Sequence, residues 1–170
     1  MANAREKALL TLYEIEYNGA YSNMALKKAV SHDLIKQDKA LLTQLVYGVV
    51  RYKLTLDYII SRYSKIKLKK LSKYVLLILR MGVYQLYYTE KIPESAAVNE
   101  SVKLAKKYAS KSAGFVNGVL HSAIRGKDLL EFPSGRIKYL SVKYSFPEEL
   151  VKILSEYDFC GELLASLNRE

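Results

Sequence analysis

The chain has 170 residues, of which 50% are hydrophobic and 26% charged, so it is long and apolar enough for one ordinary domain with a modest appendage. Its 8 Gly and 3 Pro are too few for the many turns of a β-sandwich or barrel, and its apolar content excludes disorder over most of the length. The net charge of +10 at pH 7 favours polyanionic partners, because each phosphate that a protein neutralises releases a condensed counterion.

Apolar residues recur every three or four positions through the first part of the chain, as on one face of a helix. The first helix is predicted over residues 3–18, and Ser22 is predicted to cap a short second helix. A third helix begins near Gln37, and a related apolar pattern continues to about Tyr63. Residues 65–71 alternate Lys with apolar residues, but a lone strand would have no partner. We therefore interpret this segment as a loop or the start of a helix.

The middle of the chain contains its most apolar predicted helix, over residues 72–88. A helix that is apolar on every side is typical of a central element buried by its neighbours. Pro93 breaks this pattern, and amphipathic helices are predicted at about 95–109 and 112–125.

Two further helices are predicted near the end of the chain. Pro147 begins an acidic helix that reaches about Glu156, and a last helix covers roughly 161–168. No strand-like alternation and no internal repeat of fixed period is present. The predicted fold class is all-α: a compact bundle of about seven helices with a small C-terminal helical extension.

Charge is unevenly distributed along the chain. Residues 65–111 contain eleven Lys or Arg against three Glu, whereas residues 139–170 contain three basic and six acidic residues. The middle of the chain is thus the candidate surface for a polyanion, with a merely solubilising surface as the alternative.

Membrane, secretory and disulfide signals are missing from the sequence. The longest aliphatic run, at 75–79, is far shorter than the roughly 20 residues that cross a bilayer, and the start has no signal-peptide pattern. One cysteine, Cys160, excludes an internal disulfide and a cysteine-built metal site. These features predict a reduced, soluble, cytoplasmic protein with no membrane partner.

No catalytic, metal or cofactor constellation is visible in these residues. His32 and His121 are isolated, Cys160 lies in an acidic stretch that would not lower its pKa, and no glycine-rich phosphate loop occurs. We predict no catalytic residue, no metal ligand and no cofactor-binding residue within this chain.

Tyrosine dominates the aromatic residues, with 15 Tyr and no Trp. Tyr rings can stack on unpaired bases, although most are expected at the rim of the core with the hydroxyl in water. The best candidates for nucleic-acid contact adjoin positive charge: Tyr74 beside Lys73, and Tyr108 beside Lys107.

Several small or polar residues occur inside helical patterns. Gly48, Gly82 and Gly118 each cost about 1 kcal/mol relative to Ala in a helix, so they predict close helix crossings. The amides of Asn99 and Asn117 are predicted to tie helix ends or loops together, with RNA contact as the alternative.

Arg80 lies inside the most apolar helix. A buried guanidinium requires a carboxylate partner. We predict a pair with Glu100 or with Asp57.

Three blocks in a fixed order resemble the NusB family: ILRMGVYQL at 78–86, IPESAAVNESVKLAK at 92–106 and FVNGVL at 115–120. The pattern Arg5-x-x-Ala8-x-x-x-Leu12 and the segment LVYGV at 45–49, followed by Asp57, resemble the same family. The resemblance implies a NusB-like helical RNA-binding domain at 1–127 and a helical extension at 128–170.

Members of this family are free-standing antitermination factors or N-terminal domains of S-adenosylmethionine-dependent ribosomal RNA cytosine-5 methyltransferases of the Sun type. A free-standing factor should stop near Gly126, whereas residues 140–151 here are similar to the junction that precedes the methyltransferase half. Glu149 stands where a Trp is usual in that junction. The resemblance therefore implies a piece of a longer enzyme whose catalytic domain follows Glu170.

The function implied is an RNA-binding module that docks a small-subunit rRNA (cytosine-5) methyltransferase on ribosomal RNA. Its partners would be ribosomal RNA, its own C-terminal methyltransferase domain and a ribosomal protein, with S-adenosylmethionine bound only by the full-length protein. The alternatives are a free-standing antitermination factor and a protein-docking module with little RNA affinity. The candidate RNA-binding residues are six lysines of the basic middle and two residues near the first helix, where the resemblance implies RNA contacts: Lys69, Lys70, Lys73, Lys103, Lys106, Lys107, Arg5 and Lys7.

Overall fold

The structure, a computed structural model, describes residues 3–155 and 160–168. These ranges contain helices and no strand, which confirms the all-α prediction. The α-helices are α1 Ala4–Tyr17, α2 Ser22–Ala29, α3 Lys36–Tyr63, α4 Lys73–Tyr88, α5 Glu94–Tyr108, α6 Ala113–Gly126, α7 Arg136–Tyr144, α8 Glu148–Leu154 and α9 Cys160–Leu167.

Side-chain caps fix the starts of two of these helices. The Asn3 side chain accepts a hydrogen bond from the Glu6 N–H at 2.8 Å, and the Ser72 hydroxyl accepts from the Val75 N–H at 3.3 Å. Each cap satisfies a backbone donor that has no partner within the helix. The first caps α1 and the second caps α4. The capping prediction for Ser22 is wrong, because Ser22 is the first residue of α2 and no side chain caps that helix.

Helix α4 is the centre of the bundle, as its apolar sequence predicts. It packs against α1, α3, α5 and α6, and Leu77, Ile78 and Leu79 in its middle are at most 1% exposed. Helices α1 to α6 thus surround one continuous apolar core.

Helix α3 is a single long element with a kink at Tyr52 (φ −99°, ψ 16°). Beyond the kink, the Leu54 N–H donates to the Ser145 hydroxyl at 3.1 Å, and the Thr55 hydroxyl donates to the Val142 carbonyl. Residues from the end of α7 therefore bond to α3 at its kink, which the apolar pattern alone does not predict.

The C-terminal extension has a small core of its own. Leu140, Val151, Cys160 and Leu164 are buried together, and α7 packs against α3, α8 and α9. Ser145 ends α7 in the left-handed region (φ 60°) and is itself buried. The extension is thus a separate apolar cluster that is bonded to the bundle by polar groups.

The connecting segments agree with the sequence predictions only in part, because α7 lies between the predicted helices 112–125 and 147–156, where no helix was predicted. Residues 65–71 contain a 3-10 turn at Leu68–Lys70, and α8 ends at Leu154. The predicted end near Glu156 lies outside the described residues. The predicted domain boundary after residue 127 lies in the 3-10 turn Lys127–Leu129, and it stays a prediction. None of the described helices combines the length and apolar character that a membrane span requires.

Two of the three predicted close helix contacts occur. A Cβ at Gly48 would lie 2.2 Å from the Tyr84 ring, and one at Gly82 would lie 2.9 Å from Leu120. The prediction for Gly118 is wrong, because an added Cβ there would meet nothing within 4 Å.

The predictions for the two asparagines and for Arg80 have different outcomes. Asn99 and Asn117 are exposed and make no side-chain hydrogen bond to another described residue, so the structure lacks the ties predicted for them. Arg80 pairs with Asp57, one of its two predicted partners. The other, Glu100, instead lies 3.4 Å from Lys103.

Candidate nucleic-acid interface

Four tyrosines from three helices form a continuous aromatic row, which we call the tyrosine column. Along it, Tyr17 lies 5.0 Å from Tyr13, Tyr13 lies 4.8 Å from Tyr74, and Tyr74 lies 4.9 Å from Tyr108, measured between ring centroids. All four rings are half-buried. The column therefore joins α1, the start of α4 and the end of α5 on one face of the bundle.

A lysine lies at each end of the tyrosine column. The Lys73 ammonium is 5.0 Å from the Tyr17 ring centroid, and the Lys107 ammonium is 5.7 Å from that of Tyr108. Both distances allow a cation–π attraction. Aromatic faces and positive charge thus occur together, as in surfaces that bind single-stranded nucleic acid.

The carboxylate of Glu6 lies at the Lys107 end of the column. It accepts hydrogen bonds from the Lys107 ammonium and from the Tyr108 hydroxyl, the latter at 2.6 Å. These bonds, that of Lys107 first, hold the pKa of Glu6 below its ordinary value. Burial and the bond to Glu6 raise the pKa of Tyr108 to about 12. Glu6 therefore partly neutralises this end of the surface.

The other candidate lysines extend the two ends. Lys69 and Lys70 are exposed in the 3-10 turn that precedes α4, close in sequence to Lys73. Lys103 and Lys106 are exposed on α5, within one helical turn of Lys107. These four lysines lie within four residues of Lys73 or Lys107 along the chain, so we group the six as two lysine clusters, one beside each end of the tyrosine column.

Arg5 and Lys7 have partners elsewhere in the bundle. The Arg5 Nε donates to the Gln85 side-chain oxygen at 2.9 Å, and burial lowers the pKa of Arg5. The Lys7 ammonium donates to the Ser31 hydroxyl at 2.8 Å, near the end of α2. Neither contact belongs to the two lysine clusters, and RNA binding by these two residues stays a prediction.

Sequence reasoning found Tyr74 and Tyr108 but missed Tyr13 and Tyr17. The missed pair is four residues apart on α1, so both rings lie on one face of that helix. That spacing was the available signal, but their contact with Tyr74 depends on how α1 crosses α4.

The described residues contain no group of three or more His, Cys, Asp or Glu side chains that could hold a metal ion. His32, in the turn between α2 and α3, and His121, on α6, are both exposed and far apart in the chain. Cys160 is buried in the core of the extension.

The fold and this surface define an all-helical bundle that presents aromatic rings between two clusters of cations. The chain belongs to the NusB family, whose sequence profile matches residues 2–125.

Curated relatives of two kinds resemble the chain. It is 41% identical over 156 residues to a probable ribosomal RNA small subunit methyltransferase B of Bacillus subtilis, covering 88% of this chain and 34% of the relative. The corresponding protein of Synechocystis is 36% identical, and the match covers 92% of this chain and 36% of the relative. The transcription antitermination protein NusB of Bacillus velezensis is 40% identical, covering 69% of this chain and 89% of the relative. The chain therefore spans about a third of the length of the methyltransferase relatives.

Solved structures resemble the bundle. Thermotoga maritima NusB superposes with a TM-score of 0.66 at 26% identity over 72% of this chain and 88% of that one. A second match comes from a structure of antitermination factors NusB and NusE with double-stranded RNA. It has a TM-score of 0.66 at 28% identity and covers 72% of this chain and 94% of that one. The structure of PH0851 covers 96% of this chain and 37% of its own, with a TM-score of 0.70 at 15% identity. That last likeness concerns the fold alone, including the extension.

Proposed function

We propose that the chain is the RNA-binding module of an S-adenosylmethionine-dependent small-subunit rRNA (cytosine-5) methyltransferase that acts in the cytoplasm. The observation that carries this proposal is the fraction of the chain that each kind of relative matches. Matches to the two methyltransferase relatives extend over 88% and 92% of the chain, whereas the match to the Bacillus velezensis antitermination protein covers 69%. The longer matches take in residues of the extension, and α7 of that extension bonds to α3.

The lysine clusters and the tyrosine column support RNA as the partner of this module. Ammonium groups attract phosphates without regard to sequence, while ring faces stack on unpaired bases. A NusB of the same fold is known in a structure with double-stranded RNA. In this proposal the module supplies phosphate and base contacts, and the chemistry belongs to a separate domain.

The remaining partners follow from the same proposal. The methyltransferase domain would continue from the extension and would bind S-adenosylmethionine, for which we assign no residue of this chain. A ribosomal protein is a further proposed partner, which the family resemblance implies, and a structural relative is seen in complex with a second protein, NusE.

The test is a fluorescence-anisotropy titration of the 170-residue chain against a small-subunit rRNA hairpin over a range of salt concentrations. A DNA duplex of equal charge is the competitor. We expect a preference for RNA, with log affinity falling against log salt by about 0.7 per phosphate neutralised on single strands. Lys73→Gln with Lys107→Gln should reduce that slope. The matched control is Lys27→Gln with Lys28→Gln, which removes two exposed charges from α2 outside the clusters.

Equal affinity for both polyanions would overturn specific RNA binding. Phosphate contacts are strongest at low salt. Absence of RNA binding under that condition would therefore favour the protein-docking alternative, in which apolar contacts depend little on salt. Each variant's helical content, measured by circular dichroism, separates lost binding from lost folding.

A free-standing antitermination factor is the second candidate, supported by 40% identity over 89% of a NusB protein. The two candidates differ in the size of the native protein. A native mass well above 19.4 kDa favours the methyltransferase, whereas a stop codon after Glu170 favours the antitermination factor.

A further inference from the structure

We propose that a cavity at the kink of α3 binds one unstacked base of single-stranded RNA. This inference rests on the proposed RNA-binding function and adds a base site apart from the lysine clusters. The cavity has a volume of about 480 Å³, within the size range of small-ligand sites. We call it the tyrosine cavity, after the four tyrosines that line it: Tyr47, Tyr52, Tyr84 and Tyr88.

A glycine allows one ring to form part of the cavity wall. Gly48 of α3 has no Cβ, and an added one would lie 2.2 Å from Cζ of Tyr84. The Tyr84 ring therefore lies directly against the α3 backbone, where it is only 6% exposed. This close packing makes the wall rigid.

Three of the rings are nearly parallel. Tyr52, at the kink, stacks on Tyr88 with centroids 4.2 Å apart and planes at 17°, while Tyr84 and Tyr88 lie 5.7 Å apart at 15°. An RNA base that enters the cavity parallel to these rings would continue the stack. Stacking of a base on an aromatic side chain is tolerant of sequence, because every base has a π-face.

The polar groups of the cavity match the edge of a base and its phosphate. The Gln44 amide offers both a donor and an acceptor, and the Arg51 guanidinium suits a phosphate oxygen. Arg51 is oriented by the extension, since its Nη1 donates to the Asn168 carbonyl at 2.9 Å. The described residues that line the cavity include no carboxylate that would repel a phosphate.

Tyr88 contributes a neutral hydroxyl. Burial raises its pKa to about 12, although any tyrosine with an ordinary pKa near 10 is also protonated at physiological pH. Tyr88 therefore adds no negative charge to the cavity.

The tyrosine cavity is accessible and separable from the lysine clusters. Tyr47 lies at its rim with 40% of its surface exposed. Tyr84 comes eleven residues after Lys73 on α4, which corresponds to about 16 Å along a helix axis. Substitutions in the cavity can thus be made without altering the clusters.

The experiment uses the 170-residue chain and a single-stranded oligoribonucleotide that carries one 2-aminopurine, placed at each position in turn. The fluorescence of this base is quenched when it stacks on an aromatic ring, and the chain has no Trp to obscure the signal. Overall binding is followed in the same samples by anisotropy. The variants are Tyr47→Ser and Tyr52→Leu, and the control is Tyr21→Ser, which removes a tyrosine that is 75% exposed and outside the cavity.

We expect quenching at one or a few positions in the wild type and in Tyr21→Ser. In the two cavity variants we expect that quenching to be lost and affinity to fall about tenfold, the usual scale for one stacked base. A second readout is photocrosslinking from 5-iodouridine at the quenched position, which should label Tyr47 or Tyr52.

The possible outcomes separate the two proposals. RNA binding with no quenching, or with quenching unchanged in both cavity variants, overturns the cavity proposal and leaves the RNA-binding function standing. Absence of RNA binding by the wild type overturns both. If adenosine monophosphate alone displaces the RNA base at a concentration far below that of competing oligonucleotide, the cavity is a mononucleotide site and the proposal is wrong.

Discussion

The guanidinium of Arg80 donates two hydrogen bonds to the Asp57 carboxylate, from Nε at 2.7 Å and from Nη2 at 2.9 Å. This pair joins the central helix α4 to α3 just beyond its kink. Glu16 of α1 adds a second carboxylate, 3.6 Å from Nη1 of Arg80. The arginine side chain is only 5% exposed, so its charge depends on these partners.

Removal of Asp57 should therefore destabilise the bundle strongly. We expect Asp57→Ala to lower the free energy of unfolding by about 3 kcal/mol, at the low end of the range for breaking a buried pair, because Glu16 remains. Urea denaturation followed by circular dichroism measures this. The control is Glu149→Gln, which removes one exposed carboxylate of α8 and should change stability by no more than about 0.5 kcal/mol. Equal effects of both substitutions would contradict the central role of the pair.

Gly48 and Gly118 should respond to alanine in opposite directions. A Cβ at Gly48 overlaps the Tyr84 ring, whereas one at Gly118 meets nothing within 4 Å. Overpacking costs about 1–3 kcal/mol, while alanine gains up to about 1 kcal/mol over glycine in a helix. Thermal denaturation should thus show Gly48→Ala less stable and Gly118→Ala more stable than the wild type. A loss of stability in Gly118→Ala would indicate a contact that the structure lacks.

The same two glycines show how far the sequence can be interpreted. Helix periodicity identifies which positions are helical and which are apolar, so the bundle and the central helix α4 were predictable. It does not determine which helix crosses a given residue, so Gly48 and Gly118 looked equivalent. For the same reason Arg80 had two candidate partners, and only the fold selects Asp57 over Glu100.

The site was predictable to a similar extent. Local charge identified Lys73 and Lys107 with their neighbouring tyrosines, but Tyr13 joins them through a long-range contact that no local pattern encodes. The kink at Tyr52 was also hidden, because it interrupts the helical backbone without interrupting the apolar spacing.

Glu6 should make stability depend on pH in acid. Its pKa in the folded protein lies below the ordinary value of 4.5 because of the bonds from Lys107 and Tyr108. A depressed pKa stabilises the fold fully above the unfolded value, and this contribution disappears as the pH falls through the folded value. The difference in unfolding free energy between wild type and Glu6→Gln should therefore be largest near neutrality and shrink well below pH 4.5. Urea titrations across this range test it, with Glu149→Gln as a control for the loss of one exposed carboxylate. A constant difference at all pH values would contradict the assignment.

The same substitution should strengthen RNA binding if Lys107 acts in the interface. Glu6→Gln removes the negative charge that pairs with the Lys107 ammonium, so that ammonium can neutralise a phosphate instead. We expect a salt dependence steeper by up to about 0.7 in the log–log slope on single strands. The double variant Glu6→Gln with Lys107→Gln should lose this gain. A gain that persists in the double variant would assign the effect to general charge rather than to Lys107.

Ser145 should control local opening at the kink of α3. Its hydroxyl accepts from the Leu54 N–H at 3.1 Å, where the kink at Tyr52 alters the regular helical backbone. Ser145→Ala removes this acceptor and leaves the left-handed backbone (φ 60°) as strained as before. The lost bond is worth about 1 kcal/mol, so amide hydrogen exchange at Leu54 should become roughly fivefold faster.

Exchange at Leu9, in the core of α1, should change much less if opening is local. The control Ser155→Ala removes a hydroxyl that, among the described residues, donates to the Lys152 carbonyl within its own turn, and it should leave the Leu54 amide unchanged. Equal acceleration at Leu54 and Leu9 would instead mean that this bond from the extension stabilises the bundle as a whole. Loss of the bond would then lower the free energy of global unfolding, which exposes both amides.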